Sequence, residues 1–325
     1  MKYFLHIKLI LICTAIITLI SGCSLQAKQP STDISNAGYL TIKDDAGRMV
    51  SLVHKPENIV VLSPSFLDLL YALGGKAIGR PNYNVKLDTV PAEARNIPDV
   101  GFVYNINIEK VVALQPDLVI AMQGIHDKLI PVLESNNIPV IVIKYKTYND
   151  VFDKIALFGD IVGTQQKAQE MIQDLNQKLK FISDRLPNKS VKIAILHATA
   201  KNVTLELDTS IAGSTANILH LQNVATNSNL LESSADMAPY SLEKLVESDP
   251  DYLFVVTMGN TAEIEKTMKE NIENNPAWTS LRAVRDKKVV YLPSDLFLLN
   301  PGIRMPEAVE YMARVVYPEI YANDK

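Results

Sequence analysis

The sequence predicts an α/β protein of two Rossmann-like lobes with mainly parallel sheets, joined by one long rigid α-helix. Three observations predict it. Between Gln165 and Leu186 the apolar residues Ala168, Met171, Ile172, Leu175, Leu179, Ile182 and Leu186 fall on one stripe of a helix, a spacing no strand can use. On both sides of this stretch, continuous apolar runs alternate with segments of helical spacing, as expected for strands buried on both faces of a parallel sheet. Finally, Ile108-Glu109-Lys110-Val111-Val112-Ala113-Leu114-Gln115-Pro116-Asp117 recurs as Leu242-Glu243-Lys244-Leu245-Val246-Glu247-Ser248-Asp249-Pro250-Asp251, offset by 134 positions. Each copy runs into an apolar strand, so each lobe carries one copy of a helix–turn–strand unit.

Taken in order, the 325 residues begin with a short segment of another kind. Lys2 and Lys8 precede the apolar run Leu9 to Ile20, too short for a typical membrane span, so residues 1–22 read as a signal peptide. Leu19-Ile20-Ser21-Gly22-Cys23 looks like a bacterial lipoprotein signal, with Cys23 as the lipid attachment point and the chain exported and anchored to the cell membrane. Residues 23–37 are polar and without period, a flexible tether. Cys13 and Cys23 are the two cysteines, so the mature chain has no internal disulfide and relies on its core. Without the leader it holds 30 basic and 36 acidic residues, a formal charge of −6, which argues against a nucleic-acid partner.

The N-terminal α/β lobe is expected over 38–163. It opens with a small hairpin from Leu40 to Val53. The strand Asn58 to Leu62 stops at Ser63-Pro64-Ser65 and leads into a helix from Phe66 to Leu73. Further strands follow at Ala77 to Gly79, Leu118 to Ala121 and Val140 to Ile143, with helices at Asp127 to Ser135 and Asn149 to Ile161. Gly163 ends that last helix, and Pro187 closes the bridging helix of 164–187, whose 22 residues from Gln165 to Leu186 would span roughly 33 Å. The C-terminal lobe, 188–325, repeats the alternation. Strands are expected at Val191 to Leu196, Tyr252 to Val256 and Val289 to Leu292. Helices are expected at Ile211 to Leu221, Ala262 to Ile272 and Glu307 to Val316, the last with Pro306 in its first turn.

Asp45-Ala46-Gly47-Arg48, Pro56-Glu57-Asn58-Ile59-Val60, Leu62-Ser63-Pro64-Ser65, Leu70-Tyr71-Ala72-Leu73-Gly74, the unit Ile108 to Val119 and Asn275-Pro276-Ala277-Trp278 occur in an order and spacing that resemble one family. The chain is similar to the substrate-binding lipoproteins of ABC importers for iron complexes, haem and vitamin B12. The resemblance implies two lobes bridged by a stiff helix, with a small-molecule metal complex held between them and handed to a permease dimer driven by a cytoplasmic ATPase. It also implies no intrinsic cofactor, and docking through one acidic residue on each lobe. The matching positions are Asp68, where the family commonly has Glu, and Glu243.

In open α/β sheets the ligand lies beyond the carboxyl ends of the strands. That rule selects Ser65, Tyr83, Tyr104, Met122, Gln123 and His126 in the first lobe, with His197, Tyr240 and Arg304 in the second. Tyrosines can stack on a flat ligand or ligate iron, methionine is polarizable, and the Arg304 guanidinium can grip an anion in bidentate fashion. Each also has an ordinary structural role open to it. A hydrolase is one rival, but no phosphate loop, zinc-protease motif or nucleophile elbow is present. A zinc or manganese carrier is another; it needs several clustered donors, and the mature chain has only His54, His126, His197 and His220. A ferric siderophore or haem is the expected ligand, with cobalamin second.

Overall fold

The computed structural model describes residues 38–83, 90–232 and 234–322; the expected leader, tether and Cys23 lie outside them. Strands β1 (Leu40–Lys43) and β2 (Met49–Leu52) form the expected antiparallel hairpin. Its turn is closed by the buried Asp44 carboxylate, which accepts from the Ala46 and Arg48 N–H groups and pairs with the Arg48 guanidinium at 2.6 Å.

The first sheet has six strands in the order β6-β5-β4-β3-β7-β8. In chain order these are β3 (Ile59–Val61), β4 (Ala77–Asn82), β5 (Asp99–Phe102), β6 (Asn105–Ile106), β7 (Leu118–Met122) and β8 (Val140–Ile143). All its pairings are parallel except the short hairpin β5–β6. Helices α1 (Ser65–Ala72), α2 (Ile108–Ala113) and α3 (Ile130–Ser135) lie between these strands, and α4 (Tyr148–Val162) follows the last. A Thr147–Asp150 capping box starts α4, and Gly163 ends it at φ 68°.

Helix α5 (Gln165–Ser183) is the bridge: 19 residues without glycine or proline, about 28 Å long. Ala168, Leu175 and Ile182 form its buried line, spaced by sevens. At its start the helix lies tight against α4, because a Cβ added at Gly159 would sit 2.5 Å from that of Ala168. The expected end at Leu186 is corrected to Ser183. Beyond that point Arg185 and Leu186 donate to Ile182 and Ser183, a 3₁₀-type tightening ahead of Pro187.

The second sheet lies wholly after α5. Its path is β12-β10-β9-β13-β14, with β11 also paired to β9. The strands are β9 (Lys192–Thr199), β10 (Val203–Glu206), β11 (Gln222–Asn223), β12 (Met237–Pro239), β13 (Tyr252–Met258) and β14 (Val289–Tyr291). Helices α6 (Ile211–Ile218), α7 (Leu242–Ser248), α8 (Thr261–Met268), α9 (Pro276–Ser280), α10 (Arg282–Arg285), α11 (Ser294–Phe297) and α12 (Met305–Val316) complete the chain, with a π-helical turn, Lys269–Glu273, extending α8. The central strands β9, β13 and β14 are parallel, while β10 and β12 add an antiparallel edge.

Each sheet is covered on both faces. Val60, Leu62, Val119 and Val142 face one layer of the first lobe. Leu196, Leu253, Val255 and Trp278 belong to the corresponding layer of the second. The other faces merge: Phe66, Ile141 and Phe158 belong to one continuous buried cluster with Leu175, Ile195, Phe254 and Met305. The core therefore passes through the bridge region from one lobe to the other.

The repeated unit is a structural duplication as well. Asn107 and Ser241 cap α2 and α7 by accepting from the N–H of Lys110 and Lys244. Gln115 and Asp249, at matching positions after the two helices, both adopt positive φ, 50° and 39°. Asp117 then accepts from the Asn58 N–H and Asp251 from the Lys192 N–H, a separation of 59 residues in both cases. Each Pro-Asp turn thus caps the start of the neighbouring parallel strand.

Candidate functional site

At the carboxyl ends of the first sheet the chain builds an aromatic wall. The two-residue turn between β5 and β6 leaves Phe102 63% and Tyr104 77% exposed. Gly101 permits this turn: its φ is 109°, and a Cβ there would lie 2.5 Å from the Asn105 carbonyl oxygen. β4 lies next to β5, with Asn82 paired to Phe102, so Tyr83 follows directly beside the turn. The Arg80 guanidinium sits 4.5 Å from the centroid of the Tyr83 ring. Arg80 is buried and donates to the carbonyls of Ala94, Pro81 and Arg95 at 2.8, 3.0 and 2.7 Å, so its donors are turned toward the backbone.

Met122 ends β7 half-buried. Gln123 is exposed, and its amide donates to the Asp45 carbonyl, which ties the β1–β2 turn down. His126, expected in the cleft, is 1% exposed. Its ring lies between Met122 N, 2.9 Å from Nδ1, and the Val103 oxygen, 2.8 Å from Nε2. Burial lowers its pKa, so the ring is held neutral. His126 is thus engaged with the protein at both nitrogens.

In the second lobe His197, also buried, pairs through Nδ1 with the buried Glu206 carboxylate at 2.9 Å. Tyr240 is half-buried; its hydroxyl has no hydrogen-bond partner among the described residues, and burial pushes its pKa up to about 12. Met258, at the carboxyl end of β13, is 48% exposed. Arg304 is engaged by Asp295 at 3.1 Å and Glu307 at 2.9 Å, which raise its pKa against the opposing effect of burial.

The lobes touch along a seam beginning at α1. Ser65 and Asp68, together with Pro64 and Tyr145, line a cavity of about 20 Å³ closed by Asp295 and the 299–303 loop of the second lobe. Asp68, which the resemblance implies as a docking acid, is a half-buried residue of this seam. Burial pushes its carboxyl up to about 6, with Arg304 pulling the other way. Tyr145 is buried beside it, its hydroxyl raised by burial and lacking a hydrogen-bond partner among the described residues. Elsewhere along the seam Lys146 pairs with Asp236 at 2.8 Å. Burial would push Asp236 up, but its hydrogen bonds from Lys146 and Ser234 outweigh that and hold it low. The Tyr148 hydroxyl meets Thr215 Oγ1 at 3.1 Å and the Met305 carbonyl at 3.3 Å.

Two acids do stand exposed at equivalent places: Glu109 in the first turn of α2 and Glu243 in the first turn of α7, where the helix macrodipole favours a carboxylate. Glu109 was not among the expected site residues. The 134-residue repeat contains the signal that finds it, since it matches Glu243. Phe102 and Met258 were likewise not among the expected site residues; their exposure needed the folded chain. Among the described residues, no three His, Cys, Asp or Glu side chains are grouped so as to hold a metal ion.

A family model described as a periplasmic binding protein matches residues 59–296. Among curated proteins, an uncharacterized ABC transporter substrate-binding lipoprotein of Bacillus subtilis, YvrC, is 26% identical over 323 residues, covering 93% of this chain and 94% of its own. The iron(3+)-hydroxamate-binding protein YxeB of the same organism is also 26% identical, covering 98% of this chain and 99% of its own. Among solved structures, an ABC transporter substrate-binding protein from Listeria monocytogenes superposes with a TM-score of 0.72 at 18% identity, over 81% of this chain and all of that one, a likeness of fold.

Proposed function

We infer, since this chain belongs to the periplasmic binding protein family, that it is the substrate-binding lipoprotein of an ABC importer. It captures an iron complex, a ferric siderophore or haem, between its lobes and delivers it to a membrane permease dimer driven by a cytoplasmic ATPase. The observation that carries this reading is the set of exposed apolar side chains at the strand ends of both lobes: Tyr104 at 77%, Phe102 at 63% and Met258 at 48%. Apolar groups gathered at strand ends form a surface that a bulky ligand can cover. The relative named for ferric hydroxamate, which aligns along nearly its whole length, supports iron as the cargo.

Charge narrows the class. Arg80 and Arg304, the arginines beside the strand ends of the two lobes, are directed toward carbonyls and carboxylates of the protein itself. That favours an uncharged ferric hydroxamate over a strongly anionic complex, while haem is favoured by the aromatic wall rather than by charge. Cobalamin is the second reading, favoured by the same aromatic wall.

In this reading the acids that dock on the permease are Glu109 and Glu243, rather than the half-buried Asp68. The lipid on Cys23 supplies the anchor; among the described residues no helix is long and apolar enough to cross a membrane.

The test is titration of the purified chain with haemin, cobalamin and neutral and anionic ferric siderophores, followed by absorbance and by Trp278 and tyrosine fluorescence. Saturable binding of haemin or a neutral hydroxamate at micromolar concentration or tighter is expected. If all four classes fail to bind, the reading is wrong. Glu109→Lys and Glu243→Lys should each impair ligand-stimulated ATPase activity of the reconstituted importer while leaving ligand affinity unchanged.

A further inference from the structure

His126 is the one histidine of the first sheet's carboxyl edge, and its hydrogen bonds determine its chemical form. A backbone N–H can only donate, so Nδ1 accepts from Met122 and the proton of the neutral ring lies on Nε2, where it donates to the Val103 carbonyl. Val103 is the residue between the exposed Phe102 and Tyr104. One buried ring therefore connects the end of β7 to the tip of the β5–β6 hairpin, 23 residues away in sequence.

We propose that His126 is a positioning residue for ligand capture, tying the Phe102–Tyr104 turn to the end of β7 so that the aromatic wall is in place before the ligand arrives. The inference rests on the binding role of this wall argued above. β5 itself is held by β4, through Arg80 with Asp99 and Asn82 with Phe102, so the parts left to be fixed are the turn and the outer strand. β6 is two residues long and lies at the sheet edge, paired only through Gly101 with Ile106 and Phe102 with Asn105. Beyond this pairing, Asn107 donates to the Val100 carbonyl and Gly101 to the Asp99 carboxylate. A two-residue edge strand adds little order by itself, so a buried tie at Val103 limits the positions that the turn and Tyr104 can sample. Tyr83, beside the turn, is backed by Arg80 and does not depend on His126.

The two ends of the bridge can be separated by substitution. His126→Asn keeps an acceptor near Nδ1 for the Met122 N–H but cannot reach Val103. His126→Gln carries an amide out to the Nε2 distance and can still donate to the Val103 carbonyl. Hydrogen exchange measured by mass spectrometry on the full chain should accelerate about tenfold over residues 99–107 in His126→Asn, the equivalent of one lost hydrogen bond, with β13 unchanged. His126→Gln should stay within about threefold of wild type by the same arithmetic. Affinities for haemin and ferric desferrioxamine should follow the same split, as should affinity in Tyr104→Ala, which removes the wall without touching the tie. A purely structural role would lower both variants' thermal midpoints without dividing them in affinity. Equal effects of Asn and Gln on exchange, or accelerated exchange with wild-type affinity, would overturn the proposal. If neither probe binds the wild-type chain, haem and the hydroxamate are excluded as its cargo, and the exchange comparison still decides whether the tie exists.

Discussion

Asp68 offers a direct test of the seam between the lobes. Its carboxyl is raised from 3.8 to about 6, chiefly because burial disfavours the charged form; Arg304 opposes this weakly, being shared with Asp295 and Glu307. A shift of about two units corresponds to about 3 kcal/mol. The site is partly open to water, and screening reduces the expected effect to about 1–2 kcal/mol. The sign follows from linkage: the folded chain holds this proton to a higher pH than the unfolded chain does. The stability it contributes is therefore complete below about pH 4 and is lost as pH rises through about 6. Asp68→Asn keeps the side-chain shape and removes the charge. Urea unfolding followed by circular dichroism from pH 4 to 7.5 should show the variant gaining about 1–2 kcal/mol relative to wild type across that window. A difference that stays constant with pH would mean that Asp68 is as well solvated as a surface carboxylate, and the buried seam at α1 would have to be abandoned.

The remaining predictions concern the duplicated turn and the aromatic wall. Asp117→Ala and Asp251→Ala each leave backbone N–H groups at a strand start without their carboxylate. Each should cost about 2 kcal/mol in chemical denaturation, with the double variant close to the sum because the sites lie in different lobes; a negligible cost at either one would contradict the structural equivalence of the two units. Gly101→Ala forces a Cβ against the Asn105 carbonyl at a φ of 109°. It should cost about 1–3 kcal/mol and weaken haemin or hydroxamate binding measured by calorimetry; unchanged affinity would remove the β5–β6 turn from the binding surface.

The order of strands and helices was legible because it rests on local rules. β3, β7 and β8 are wholly apolar and, short of Met122, buried, and β9 and β13 carry buried apolar runs at 193–196 and 253–256. The bridge was visible from its stripe alone. β5, β6, β10 and β12 were not, since each lies at or near a sheet edge, where a strand needs few apolar residues. Asp99-Val100-Gly101-Phe102 and Met237-Ala238-Pro239 have no periodicity to detect, and Pro239 is tolerated at an edge position. Strand ends could also be located from sequence, and parallel sheets place all their carboxyl ends along one edge.

Which side chains at those ends remain open was decided by packing. Tyr104 and His126 sit at comparable strand ends, yet one is 77% exposed and the other 1%. The difference arises because the imidazole is met by the Met122 amide four residues before it and by the Val103 carbonyl 23 residues before it. Likewise Asp68 lies in an ordinary first helical turn by sequence, and Tyr145 together with the 299–303 loop from the other lobe encloses it. By itself the sequence determined the two lobes, the rod between them and the duplicated unit, because periodicity and turn chemistry act over a few neighbouring residues. The tertiary structure decided which polar groups are consumed by the protein and which face outward, because burial depends on contacts between segments far apart in the chain.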